Sequence, residues 1–91
     1  MKINAIQCPN CKDIVYSRAK YDKRFCGCGD VAIEGGFDYR KISFRGMSPT
    51  SLEIDVDIDK VTLANDYSSK ANKYGLLKDN SQKELKRFVF E

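Results

Sequence analysis

Four cysteines in two close pairs are the residues of this sequence whose type and spacing could support chemistry. Cys8 and Cys11 form a C-x-x-C pair, Cys26 and Cys28 form a C-x-C pair, and fourteen residues separate the pairs. Two tight turns that each aim two sulfurs at one point supply the ligands of a tetrahedral metal site. Four thiolates suit Zn²⁺ best, so the spacing predicts one structural zinc ion. An iron centre and free or redox-active cysteines are the alternatives.

The residues within and after the cysteine pairs favour tight turns. Pro9 fixes the backbone of the first turn, and Gly29 follows the second pair, where a positive φ is common. The second pair is one residue shorter than the first, so we expect Gly27 to be needed for its tighter turn. A closed set of four cysteines leaves no coordination position for a substrate. We therefore expect the metal to stabilise the fold and not to catalyse a reaction.

Composition and charge narrow the possible functions of the 91-residue chain. It contains no histidine, which excludes a histidine-based catalytic triad and a histidine-ligated metal site, and we predict that it is not an enzyme. The formal net charge of +3 falls to about +1 once four thiolates bind one Zn²⁺. Because neither a secretory signal nor a run of about 20 apolar residues is visible, we expect a soluble cytoplasmic protein without a membrane partner. Reducing conditions there argue against disulfides.

Basic side chains concentrate in the first half of the chain. Residues 1–45 hold nine basic residues against five acidic ones, whereas residues 46–91 hold seven against eight. Between the cysteine pairs, Tyr16, Tyr21 and Phe25 alternate with basic residues, which are Lys12, Arg18, Lys20, Lys23 and Arg24. A metal-held finger of this composition could follow phosphates and stack bases. The alternative is a solvated hairpin with a strand at 14–16, in which Asp22 pairs with Arg18 or Arg24.

The hydrophobic pattern predicts a single α+β domain over residues 1–91. Residues 1–45 form a zinc-ribbon-like part with β-hairpins and a small antiparallel sheet, and residues 46–91 a part with one strand and one or two helices. Residues 31–33 read as a strand, followed by a turn at Glu34-Gly35-Gly36. Residues 52–59 alternate between apolar and acidic side chains, which is the clearest strand signal. Lys41 and Arg45 would complement those acids, so we expect 38–45 to pair with 52–59 in an antiparallel hairpin.

Two helices are predicted in the second half. Apolar spacing indicates a helix over 60–74, which Asp59 would cap and Gly75 would end. The sequence Ser81-Gln82-Lys83-Glu84 reads as a capping box before a short final helix reaching residue 90. Residues 88–90 could instead form a strand.

Several short motifs occur together between residues 7 and 41. They are Cys8-Pro-x-Cys11, Asp13, Ser17-Arg18, Asp22, Cys26-x-Cys28-Gly29 and the stretch Glu34-Gly-Gly-Phe-Asp-Tyr-Arg40. This combination resembles a family of short zinc-ribbon-like proteins encoded by bacteriophages and some bacteria. The resemblance implies a phage accessory protein that acts in the cytoplasm of a bacterial host. It also marks Gly35, Gly36, Asp38, Tyr39 and Arg40 as a candidate site. The alternative is a purely structural stretch, in which the glycines make a turn, Asp38 caps it and Tyr39 packs beside the metal.

Two functional hypotheses follow. The first is a non-enzymatic interaction protein that binds a host macromolecule, with a host protein as the expected partner. The second is a nucleic-acid-binding module that uses the 12–25 finger together with Arg40, Lys41 and Arg45. The predicted contact residues for a partner or a nucleic acid are Arg18, Lys20, Lys23, Arg24, Asp38, Tyr39 and Arg40.

Overall fold

Two antiparallel sheets and one helix make up the part of the protein that the computed structural model describes, residues 2–78 and 87–90. In chain order the elements are β1 (Lys2–Gln7), β2 (Ile14–Val15), β3 (Arg24–Phe25), β4 (Val31–Glu34), β5 (Lys41–Phe44), β6 (Thr50–Asp55), α1 (Lys60–Ser69), β7 (Leu76–Leu77) and β8 (Arg87–Phe90). The predicted α+β class and the strand at 31–33 are therefore confirmed. Within the described residues, no helix has the length and apolar character needed to span a membrane.

The larger sheet has the strand order β7-β2-β1-β6-β8, with β1 at its centre. Side chains alternate across a strand, so Ile3 and Ala5 share one face of β1 and lie opposite Ile54 and Leu52 of β6. This face packs against Leu63 of α1. The first core thus lies between the larger sheet and the helix.

The smaller sheet has the strand order β3-β4-β5 and packs on the other side of β1. Its Val31 and Ile33 form a second core with Ile6 and Val15 of the larger sheet. The metal-ligand candidates Cys8 and Cys26 belong to the same cluster. The cysteines therefore lie where the two sheets meet.

The helix begins where the sequence predicts and ends earlier. The carboxylate of Asp59 accepts a hydrogen bond from the Thr62 backbone N–H at 2.8 Å, which confirms the predicted N-cap. At the other end, Lys70 adopts a left-handed conformation with φ of 59°, five residues before Gly75. After this end, the side chain of Asp66 accepts hydrogen bonds from the backbone N–H groups of Lys73 (2.9 Å) and Tyr74 (3.1 Å), which takes the place of helical bonds at these two residues. The predicted helix over 60–74 is thus corrected to 60–69.

The predicted hairpin between 38–45 and 52–59 is wrong. The strand in the first segment, β5, pairs with β4, while β6 pairs with β1 and β8. The apolar face of β6 fits the apolar face of β1, and Lys2 lies opposite Asp55. The basic residue opposite the acidic face of β6 is therefore Lys2, at the start of the chain, and not Lys41 or Arg45.

The end of the chain is a strand and not a helix. Residues Arg87–Phe90 form β8, which pairs antiparallel with β6 and places Val89 opposite Leu52. The predicted final helix is wrong over these residues, and the alternative strand at 88–90 is confirmed. The capping box at 81–84 lies outside the described residues.

Candidate metal centre and the network around it

The two cysteine pairs converge on one point between the sheets. The Sγ atoms of Cys8, Cys11, Cys26 and Cys28 all lie within 4.8 Å of one another. Cys28 Sγ is 3.6 Å from Cys8 Sγ and 3.4 Å from Cys26 Sγ. Four sulfurs held tetrahedrally at the usual zinc–sulfur bond length are separated by about 3.8 Å. The four cysteines could therefore bind a single metal ion.

Each cysteine pair lies in a turn with a left-handed residue directly after its second cysteine. In the first turn the Lys12 N–H donates to Cys8 O at 3.0 Å, and in the second the Gly29 N–H donates to Cys26 O at 3.0 Å. The φ angles are 66° at Lys12 and 80° at Gly29. The positive φ predicted for Gly29 is confirmed. At Lys12 a side chain makes this conformation unfavourable by about 1–2 kcal/mol, and the sequence carried no signal for it.

Burial and backbone hydrogen bonds act in opposite directions on the thiols. Burial raises the pKa of Cys11 to about 12. The backbone N–H of Asp30 lowers the pKa of the exposed Cys28 to about 7. The Asn10 N–H also donates to Cys8 Sγ at 3.4 Å. Such N–H groups favour thiolates, which are the metal-binding form of cysteine.

A buried carboxylate joins the two cysteine turns. Asp13 Oδ2 accepts the Gly27 backbone N–H at 3.0 Å and lies 3.4 Å from the Lys78 ammonium. A Cβ atom at position 27 would collide with this carboxylate oxygen. The sequence predicts that the turn of the second cysteine pair needs glycine at position 27. The structure supplies a reason, because the Asp13 carboxylate approaches the Gly27 backbone too closely for a side chain.

Replacing Gly27 with alanine should therefore destabilise the protein. Overpacking of this kind costs about 1–3 kcal/mol, and we expect a loss in that range by urea denaturation of the metal-loaded protein. The Asp13→Ala variant removes the colliding carboxylate. In that background Gly27→Ala should cost clearly less, and fully additive losses for the two substitutions would contradict the collision.

Arg18 lies in the interior and is held by carboxylates from two parts of the chain. It is only 4% exposed. Its Nε and Nη2 atoms donate to both oxygens of Asp22, at 2.7 and 3.0 Å. Its Nη1 atom donates to Asp66 at 2.7 Å and to Asn72 at 3.0 Å. The bidentate bonds with Asp22 are the main reason that the pKa of Arg18 is raised. Asp22 therefore pairs with Arg18, one of the two partners expected for it. The solvated hairpin itself is not observed, because Arg18 is buried and β2 pairs with β1 and β7 while β3 pairs with β4.

The other predicted contact residues divide between interior and surface. The Arg24 guanidinium is partly buried and donates to the carbonyl of Tyr74 at 3.2 and 3.3 Å. The side chains of Arg18 and Arg24 are thus both engaged in hydrogen bonds within the protein, and contact of the 12–25 finger with a partner stays a prediction. The remaining predicted contact residues are exposed, namely Lys20, Lys23, Asp38, Tyr39 and Arg40.

The glycine pair makes the predicted turn, with φ of 119° at Gly35 and 55° at Gly36. The Gly36 N–H donates to Ser17 Oγ at 2.9 Å, and a Cβ there would approach the backbone carbon of Ala19 to 2.5 Å. The Tyr39 hydroxyl donates to Glu34 at 2.8 Å. The glycines thus dock this turn on the segment between the cysteine pairs, and the side chains after them reach solvent.

Sequence reasoning missed the acceptors of the buried arginines. Asp66 and Asn72 lie 48 and 54 residues after Arg18, and Tyr74 lies 50 residues after Arg24. No short-range pattern links positions so far apart. An aspartate in the interior of the predicted 60–74 helix, where this residue type is unfavourable, was the available local clue.

Comparison with known proteins found one match, which covers the first half of the chain. A family model described as a domain of unknown function (DUF7695) matches residues 1–44. This region contains β1 to β5 and all four cysteines. No curated protein and no solved structure gave a match. The candidate metal centre therefore lies entirely within the region of family similarity.

Proposed function

We propose that the protein is a small zinc-binding, non-enzymatic module that acts by binding a macromolecule. The observation that carries this proposal is the mutual approach of four Sγ atoms to within 4.8 Å. Four thiolates saturate a tetrahedral ion, so the bound metal would have a structural role. Zinc is the ion that best suits this ligand set, and iron is the alternative that the experiment below distinguishes.

The position of the cysteines supports a structural role for the ion. Cys8 follows β1 of the larger sheet, and Cys26 follows β3 of the smaller sheet. A shared ion would therefore cross-link the two sheets at their contact. Asn10 Nδ2 donates to Asp30 Oδ2 at 3.3 Å and adds a direct bond between the two turns.

The surface of the same half supports a binding role. Its exposed large side chains include Tyr21, Phe25, Phe44 and Met47. Exposed aromatic and methionine side chains are enriched at protein surfaces that bind partners. The resemblance to phage-encoded proteins suggests that the partner belongs to a bacterial host, and a host protein remains the partner that this resemblance favours.

Metal analysis of the untagged protein tests the proposed centre. We expect one zinc per chain in the wild type and a loss of bound zinc in Cys28→Ser, because one of four ligands is removed. Ser48→Ala, in an exposed loop, serves as the control and should keep its zinc. A coloured protein that contains iron, or wild type without metal, would contradict the zinc centre.

The same preparations test the binding role. Immobilised wild type and Ser48→Ala should each retain a macromolecule from bacterial lysate in stoichiometric amount, whereas Cys28→Ser should not. If zinc is bound but nothing is retained, the binding role is wrong and the zinc centre stands. The two parts of the proposal are thus tested separately.

A further inference from the structure

The smaller sheet ends at β5, a strand with one edge that no other described strand covers. Among the described residues, β5 pairs only with β4. We propose that this edge binds an extended segment of a partner protein in which apolar and acidic residues alternate. The segment would add a further strand beside β5. The inference rests on the proposed binding role, and it names the class of partner and the contact surface.

The backbone of β5 directs hydrogen-bonding groups towards the open edge. In an antiparallel pair, residues that bond to the neighbouring strand alternate with residues that point away from it. The Arg45 N–H donates to Asp30 O at 2.8 Å, which assigns Arg45 to the bonded set. Ser43, two residues earlier, belongs to the same set. The N–H and C=O groups of Ile42 and Phe44 therefore point outwards.

The hydrogen bonds of β4 agree with this assignment. The Cys26 N–H donates to Val31 O at 3.0 Å, so Val31 bonds towards β3. The next residue, Ala32, must then bond towards β5, where Ser43 lies opposite it. Within the described residues, the outward backbone groups of β5 have no hydrogen-bond partner. Main-chain bonds to such groups give strand addition its affinity.

One face of β5 is apolar. Side chains two apart share a face, so Ile42 and Phe44 lie on the same face as Ile33 and Val31, the residues opposite them on β4. Ile42 packs against the second core, whereas Phe44 remains 49% exposed. Apolar side chains of an added strand would cover Phe44 and extend this core.

The other face of β5 carries two exposed cations, Lys41 and Arg45. Glu34 and Asp30 lie opposite them on β4, but these acids accept hydrogen bonds from other side chains. In the described part of the chain, neither acid forms an ion pair with a cation of β5. Opposite charges on neighbouring strands stabilise their pairing. Lys41 and Arg45 therefore favour acidic side chains on the added strand.

The same cations disfavour a second copy of this chain as the occupant. If two β5 strands paired antiparallel with full overlap, Lys41 would lie opposite the Arg45 of the second copy. Directly opposed like charges destabilise a sheet, and cations on a free edge commonly prevent such self-pairing. Within this chain, β6 has the alternation of apolar and acidic residues that fits, and its Asp55 lies opposite Lys2.

Fluorescence anisotropy with zinc-loaded protein and labelled peptides tests the proposal. The peptides have about six residues, the usual length of a strand, and alternate either valine with glutamate or valine with lysine. We expect the glutamate peptide to bind and the lysine peptide not to bind. Lys41→Gln and Arg45→Gln should each weaken binding of the glutamate peptide by up to about fivefold, the effect of one lost cross-strand charge pair.

Amide hydrogen exchange measured by NMR tests the backbone pairing. With saturating glutamate peptide, exchange of the Ile42 and Phe44 N–H groups should slow by about tenfold or more. The Ser43 N–H already bonds to β4 and should change less. Phe44→Ala keeps the outward N–H, whereas Phe44→Pro removes it at an edge position where proline is tolerated. Phe44→Pro should therefore bind the peptide about fivefold or more weakly than Phe44→Ala.

Matched controls come from exposed cations outside the smaller sheet. Lys20→Gln and Lys60→Gln should bind the glutamate peptide as the wild type does. Zinc content and circular dichroism identify any variant that fails to fold. The exchange measurement on the wild type decides the proposal without any variant.

Several results would overturn the proposal. They are absence of binding to the glutamate peptide, equal binding of the lysine peptide, unchanged exchange at Ile42 and Phe44, and protection of these amides by dimerisation without peptide. Binding of oligo-dT that Lys41→Gln and Arg45→Gln abolish would also overturn it and assign the cations to a nucleic acid. If wild type and Phe44→Pro retain a macromolecule from lysate equally, the edge assignment is wrong and the proposed binding role stands.

Discussion

A zinc chelator should unfold the protein. Structural zinc contributes about 10 kcal/mol or more in small domains, whereas the whole stability of a domain is about 5–15 kcal/mol. Here the candidate ligands Cys8 and Cys26 belong to the core between the two sheets. Without the ion that core loses its cross-link, and few apolar side chains remain to hold the sheets together. The measurement is far-ultraviolet circular dichroism together with urea denaturation, before and after chelation.

Readdition of metal supplies the control for this result. An equimolar amount of Zn²⁺ should restore the spectrum, while Mg²⁺ should not, because thiolates bind soft or borderline ions in preference to hard ones. A chelated protein with an unchanged spectrum and urea midpoint would show that the four cysteines do not determine the fold.

Substitution of Arg18 by methionine should give the second largest effect. Removing one partner of a buried ion pair costs about 3–5 kcal/mol, because the remaining charge is buried without compensation. In this protein two carboxylates, Asp22 and Asp66, would lose the guanidinium that lies 2.7 Å from each. Burial raises the pKa of Asp66, but its hydrogen bonds with Arg18, Lys73 and Tyr74 bring the pKa below its usual value. Urea denaturation of the zinc-loaded protein measures the loss.

The exposed Lys20 provides the matched control for Arg18. Lys20→Met changes the same charge two residues away and should alter stability by no more than about 0.5 kcal/mol. Adding Asp22→Asn and Asp66→Asn to Arg18→Met should recover part of the loss, since both unpaired charges disappear. If Arg18→Met lowers the free energy of unfolding by no more than Lys20→Met does, the hydrogen bonds of the buried Arg18 do not stabilise the fold.

Features that depend on neighbouring residues were predictable from the sequence. Within each pair the two cysteines lie close together because one short turn constrains them, and turns are encoded by a few adjacent residues. The meeting of the two pairs depends in addition on the packing of the two sheets. The left-handed conformations at Gly29, Gly35 and Gly36 and the Asp59 cap follow from the same kind of local signal.

Strand pairing was not predictable, because alternation shows which face is apolar but not which strand covers it. The acidic face of β6 would accept a basic residue from Lys41 or from Lys2, and only the long-range fit of apolar faces selects β1. The burial of Arg18 was missed for a related reason. An arginine is usually exposed, and its interior position depends on Asp66, which is distant in sequence.

The strand β1 lies within the region of family similarity, yet β6, which lies outside it, pairs with β1 from Lys2 to Gln7. The limit of sequence similarity therefore cuts through a hydrogen-bonded ladder. A chain that kept residues 1–44 and exchanged the remainder would need a new strand beside β1 and a new acid for Arg18. Any segment recombined with residues 1–44 must therefore supply both a strand that pairs with β1 and an acidic side chain that reaches Arg18.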